Sequence, residues 1–178
     1  GLVTFRTSSS SKDGALLRQY EQGARETSER FGVDAVETAD VLYLTSAENE
    51  LLVPREDAED KNISIGMMTD LPEHSELVAG EFYSSDEPGE DGMIDAVLSE
   101  RALMELNLLL GDEVSFPEVL DPSGNPIRIR IAGVFRNRSS DDIFWVRTPS
   151  SYQDVCFISP ALFESYFLQG DELEYGVN

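Results

Sequence analysis

The chemistry open to this chain is limited first by how few reactive side chains it carries. Among 178 residues there is one histidine, His74, and one cysteine, Cys156. One histidine rules out a multi-histidine zinc site within a single chain and leaves a serine-histidine-aspartate triad only one place to form. His74 lies near Glu73 and Glu76 and has the chemistry of an acid or base, yet a lone histidine in a turn reads more simply as a surface residue. Cys156 sits in the apolar run Val155-Cys156-Phe157-Ile158 and reads as a small buried hydrophobe; without a second cysteine it forms no internal disulfide. Ser150, Ser151 and the run Ser8 to Ser11 lack the Gly-x-Ser-x-Gly turn that presents a hydrolase nucleophile. The expectation is a chain with no catalytic, cofactor-binding or metal-ligating residue.

Carboxylates are abundant: 35 acidic against 13 basic residues give a net charge of −22. That charge disfavours nucleic acid as a partner. The runs Glu56 to Asp60 and Asp86 to Asp91 offer oxygen ligands but not the alternating spacing and terminal glutamate of a calcium loop. Solvated loops are the stronger reading, and their field would attract cationic peptides over about 10 Å. A paired-acid glycosidase would require two of these acids to converge in one cleft. The basic residues are eleven arginines and only two lysines, Lys12 and Lys61, which leaves little for a polybasic membrane patch. The longest apolar runs are four residues, against roughly twenty for a membrane helix. Phe144 and Trp145 are adjacent; in a strand they would point to opposite faces, one into a core and the other outward, so these two are the candidate partner-contact residues, against the blander reading that they anchor a loop by burial.

The elements that must position these residues read as a mixture of helix and strand. Leu2 to Thr7 predicts an opening strand, and Leu17, Tyr20, Ala24, Thr27 and Phe31 recur at steps of three and four along a helix between Ser11 and Phe31. Asp40 to Thr45 predicts a second strand, followed by strands at Leu51-Leu52-Val53 and Ile63 to Met67. Asp95 to Leu98 predicts a strand, and Ser99 caps a helix carrying Ala102, Leu103, Leu106 and Leu110 and ending at Gly111. Glu113 to Phe116 and Ile127 to Phe135 flank the turn cluster Asp121 to Pro126, and Ile127, Ile129 and Ile131 alternate with Arg128 and Arg130, as in a hairpin with one wet face. Ile143 to Val146 and Asp154 to Ser159 read as further strands, and Ser159-Pro160 opens a last helix.

The order of these segments resembles the extracytoplasmic domain of MacB-like and FtsX-like ABC-transporter permeases. Leu77-Val78-Ala79-Gly80-Glu81-Phe82 is similar to that family's Leu-x-x-Gly-Arg-Phe segment, and Ala96 to Ser99 with Arg101-Ala102-Leu103 to its strand-to-helix step. Leu108 to Val114 resembles its Leu-x-x-Gly-Asp-x-Ile segment, Ile129 to Val134 its Val-x-Val-x-Gly-Ile strand, and Val155 to Pro160 its returning strand. Glu81 stands where the family usually has arginine, so an ion pair made by that arginine does not carry over.

The resemblance implies an α+β, two-lobed fold: a βαβ-rich, membrane-proximal lobe from residues 1–75 and 155–178, and an inserted, mostly-β lobe from 76–154. It implies a non-enzymatic domain on the extracellular or periplasmic face of the cell membrane, excised from a membrane-embedded, dimeric permease. ATP is hydrolysed by a cytoplasmic ATPase subunit or domain, and the motion passes to an extracytoplasmic peptide, lipoprotein or cell-wall protein. In the family the domain commonly continues with another strand-helix-strand, so the expectation is that a pairing strand is either missing from this chain or supplied differently. The competing reading is a freestanding secreted ligand-binding or adhesion module, resting on the acidity and the aromatic pair.

Overall fold

The alternation of isoleucine and arginine from Ile127 onward becomes the longest strand of the protein. The computed structural model describes residues 14–32, 40–44, 46–56, 58, 61–83, 86–139, 141, 142, 144, 145 and 147–168. Its strands are β1 (Val41–Tyr43), β2 (Glu50–Leu51), β3 (Ser64–Met68), β4 (Ser75–Gly80), β5 (Ile94–Ser99), β6 (Glu113–Leu120), β7 (Pro126–Asn137) and β8 (Val155–Phe157). The helices are α1 (Gly14–Arg30), α2 (Leu71–His74), α3 (Glu100–Glu105) and α4 (Pro160–Phe167). The strands form one eight-stranded sheet in the order β1-β3-β8-β5-β7-β6-β2, with β4 added on β7. The fold is α+β. The predicted strand at Leu2 to Thr7 lies outside the described residues.

Side-chain alternation divides the buried residues between the two faces of this sheet. Ile65, Met67, Ile94, Ala96, Leu98 and Cys156 face one core, which α3 and α4 cover with Ala102, Leu162 and Phe163. Met68, Val97, Val155 and Phe157 face the other, which takes in Leu71, Phe135, Phe144 and Tyr152. Between β5 and β8, strands of the spans 155–178 and 76–154 adjoin at one register pair, Val97 with Phe157. One strand from the first span, β2, lies instead at the far edge on β6. Both cores draw on both spans.

Strand β7 passes from one core to the other. Ile127, Ile129 and Ile131 belong to the first and Phe135 to the second, although an even spacing would keep all four on one face. The register explains the change: Ala96 pairs with Ile131 but Val97 pairs with Gly133, so Ala132 is the extra residue of a bulge. A matching irregularity lies in β4, where Leu77 pairs with Phe135 and Ala79 with Val134. A Cβ at position 133 would fall inside van der Waals contact of the Glu81 carbonyl oxygen, so only glycine lets the two backbones approach this closely.

Local signals fix several boundaries and tertiary contacts move others. Ser99 caps α3 as expected, its Oγ accepting from Ala102 N at 3.1 Å. The helix nevertheless ends at Glu105 and not near Gly111, because Asn107 takes a left-handed conformation (φ 52°) and Leu108 N bonds back to Leu103 O. Leu106 and Leu108 are thereby buried, while Leu109 and Leu110 stay exposed. Gly111, at φ 88° and with open space around it, then donates to Ile131 O. Ser159 sits at the start of α4 but does not cap it with its side chain; its Oγ donates to Asp86 Oδ1 at 2.6 Å. On α1, Tyr20 and Phe31 are exposed, and Ala24 and Thr27 half-buried.

Two glycines separate steric from conformational cost. Gly133→Ala is expected to destabilise the protein by at least about 2 kcal/mol, because backbone must move. Gly111→Ala costs about 1 kcal/mol, from its left-handed backbone alone. Urea unfolding of the two variants measures the difference.

Candidate functional site

Helix α2 runs into β4 without a loop, so His74 ends one element and Ser75 begins the next. Pairing of β4 with the end of β7, Ser75 with Asn137 and Glu76 with Arg136, carries the chain leaving β7 past His74, where Arg138 N donates to His74 O at 3.3 Å. Asp142 then turns the chain. Its Oδ1 accepts from Phe144 N at 3.0 Å and its carbonyl from Trp145 N at 3.2 Å, a side-chain-stabilised turn of the kind aspartate favours. The other carboxylate oxygen lies 2.8 Å from His74 Nδ1. The imidazole stacks on the Phe144 ring with centroids 3.9 Å apart and planes 3° from parallel. Trp145 Nε1 donates to His74 O at 3.1 Å, and its ring meets Phe144 edge-on at 5.2 Å.

These contacts show that Phe144 and Trp145 are not in the strand on which the opposite-face argument rests; Ile143 and Val146 lie outside the described residues. Phe144 lies in a turn, and it packs in the same core as Trp145, not on the opposite face. The reason is Asp142, whose backbone and side chain both bond to the residues that follow it. Phe144 is buried and Trp145 half-buried. Hydrogen bonding to His74 holds the Asp142 carboxyl below its ordinary range, helped by the bond from Phe144 N. Beside them Tyr83 is pushed above its ordinary value, first by burial and then by Glu73 and Asp70. The partnership of His74 with Asp142 spans 68 residues, and no local pattern announces it.

The remaining candidates serve the fold. Cys156 is fully buried, and burial pushes its thiol up to about 12, which leaves almost no thiolate to react. On the wet face of the sheet Arg130 binds Asp91 and lies 3.1 Å from Glu113 and 3.9 Å from Asp95. Its bond to Asp91 holds that carboxyl low, and Arg128 donates to Asp91 O at 2.6 Å. The acidic run Asp86 to Asp91 is therefore tied at both ends, at Ser159 and at Arg130. A cleft of about 300 Å³ opens between the segment 49–63 and the end of α3. Its cations are engaged there: Arg55 donates to Asn107 O at 2.6 Å and pairs with Asp112 at 3.1 Å, and Lys61 donates to Glu105 O. They satisfy carbonyls that a helix end leaves open. Among the described residues, no group of three or more histidine, cysteine, aspartate or glutamate side chains is placed to hold a metal ion. Nor is any helix among them long and apolar enough to cross a membrane.

No protein-family model matches the chain, and no curated protein matches it. Among solved structures, it is similar to a domain of a Porphyromonas gingivalis protein named as a permease, at 18% identity and a TM-score of 0.41. The similarity covers 82% of this chain, which spans 60% of that one. Likeness at this level assigns neither activity nor partner.

The lowered Asp142 carboxyl gives the aromatic turn an acid limit. A group whose folded pKa is depressed contributes stability above its unfolded pKa, about 3.9, and that contribution is lost as pH falls through the lower folded value. Fluorescence of Trp145, the one tryptophan, is expected to shift to the red as pH falls below about 4. In Asp142→Asn the emission at neutral pH already lies toward the red, and the acid step is smaller. Phe144→Ala is expected to cost about 3 kcal/mol in thermal or urea unfolding.

Proposed function

We propose that this chain is an extracytoplasmic domain of a MacB-like or FtsX-like ABC-transporter permease. It acts mechanically, not as an enzyme, passing motion driven by a cytoplasmic ATPase to an extracytoplasmic peptide, lipoprotein or cell-wall protein. The intact permease is membrane-embedded and dimeric. One observation carries the reading: the segments that resemble the family join in one sheet, most of them on β7, and β8 through β5.

Leu77 to Gly80 form β4 and pair with β7, where Gly80 meets Gly133. Ala96 to Ser99 form the end of β5, which pairs with β7 and leads into α3. Gly111 and Asp112 close the turn into β6 by bonding to Ile131, through Gly111 N to Ile131 O at 2.8 Å and Ile131 N to Asp112 O at 2.9 Å. Val155 to Phe157 form β8, which touches β5 at Val97 and runs parallel to β3. Five stretches dispersed over more than eighty residues thus make one connected unit, and Gly80 and Gly133 stand where backbones meet. Of the aromatic pair, half-buried Trp145 is the one with surface to offer a partner.

Membrane topology tests this reading. In the full-length gene product, membrane helices are expected to flank the segment. Glu118, exposed on β6, is replaced with cysteine; Glu118→Cys should react with a membrane-impermeant maleimide in intact cells while buried Cys156 stays silent. A full-length product without such helices, or labelling that needs cell lysis, overturns it.

A further inference from the structure

We propose that the outer edge of β1 is a docking site for an extended, basic segment of a partner protein, added as a further strand of the sheet. The hydrogen-bond pattern shows which backbone groups that edge offers. In an antiparallel pair, residues alternate between those bonded to the partner strand and those whose N–H and C=O point away. Against β3 the bonded positions are even-numbered: Thr69 N donates to Asp40 O at 3.1 Å and Leu44 N to Ile65 O at 2.9 Å, and Leu42 lies opposite Met67 between them. Val41 and Tyr43 therefore direct their N–H and C=O away from β3. Among the described residues β1 pairs with β3 alone.

At three residues β1 is a short edge, which itself limits pairing, but its side chains add no further block. Sheet edges are commonly protected from further pairing by lysine, proline or an inward charge, whereas β1 reads Val41-Leu42-Tyr43. Leu42 and Leu44 are half-buried against one core, Val41 is half-buried against the other, and Tyr43 is 53% exposed. Both cores thus reach the edge, and an added strand would extend each of them.

Charge selects the occupant. Segments 40–48 and 62–74, which supply β1, β3 and their flanks, contain no lysine or arginine but include Asp40, Glu48, Asp70 and Glu73. A second copy of a chain carrying −22 would bring like charge to like charge, whereas a segment alternating lysine or arginine with apolar residues meets opposite charge at its polar positions. Main-chain bonds would supply the attachment and the charges its selectivity.

Hydrogen exchange on the 178-residue chain tests this without reference to any permease, so it succeeds or fails independently of the function proposed above. The probe is the peptide acetyl-Lys-Val-Lys-Val-Lys-amide, compared with its Glu-Val-Glu-Val-Glu counterpart. The lysine peptide is expected to slow exchange of the Val41 and Tyr43 amides about tenfold or more at saturation, and the glutamate peptide to leave them unchanged. Tyr43→Pro removes an outward N–H and no bond to β3, so it should fold and lose the response, whereas Leu42→Pro should unfold the edge. Amides already protected in the dilute free chain would mean that the chain covers this edge itself. Protection that rises with protein concentration alone would mean a second copy does. Either result, or equal response to both peptides, overturns the proposal.

Discussion

Strand β7 pairs with three others, β5 on one side and β6 and β4 end to end on the other, and the rest of the structure depends on its bend at Ala132 and Gly133. Before the bend its isoleucines fill the core under α3 and α4; after it Phe135 fills the core closed by the aromatic turn. A straight strand would keep one face throughout and leave the second core without its central ring. The close contact of Gly133 with Glu81 O lets β4 follow the bend, and β4 in turn delivers His74 to the place where Asp142, Phe144 and Trp145 gather.

How far these features can be read in sequence depends on how local their causes are. The β6–β7 hairpin, the Ser99 cap and the buried Cys156 rest on side chains within a few residues of one another, and each stands where its pattern puts it. The α+β class follows from the same periodicities. The early end of α3 was hidden because the leucine pattern continues to Leu110 while Asn107, a residue that tolerates the left-handed region, breaks the backbone inside it. The aromatic turn was hidden for a different reason: four apolar residues in a row look like a strand, and only the bonds of Asp142 and His74 to Phe144 and Trp145 reveal the turn. Leu51 looks like a partner for the neighbouring strand but pairs with Val114 of β6, a choice fixed by tertiary packing.

The surplus of acid has a pattern as well. Arginines on β7 hold carboxylates of other segments: Arg130 takes Asp91, Asp95 and Glu113, and Arg136 takes Glu76. Pairs this exposed add little stability individually, but each joins β7 to a different part of the chain and so fixes where loops lie. Among the described residues, the segments that form β1 and β3 carry no such cation. The negative field is therefore locally cancelled along the centre of the sheet and left open at one edge.

Stiffness and compliance are divided along the same line. From β8 to β6 the sheet is sealed by two cores and by bulges that match across neighbouring strands, so a displacement applied at one point is carried through the whole unit. The aromatic turn and the β1 edge include side-chain bonds, from Phe144 N to Asp142 and from Asp40 N to Thr69, that a change of charge or a competing strand can replace. The sheet thus combines a rigid body with margins whose contacts can exchange without disturbing it. Here the first is supplied by glycine-permitted backbone contact, and the second by the places where polar side chains substitute for main-chain pairing.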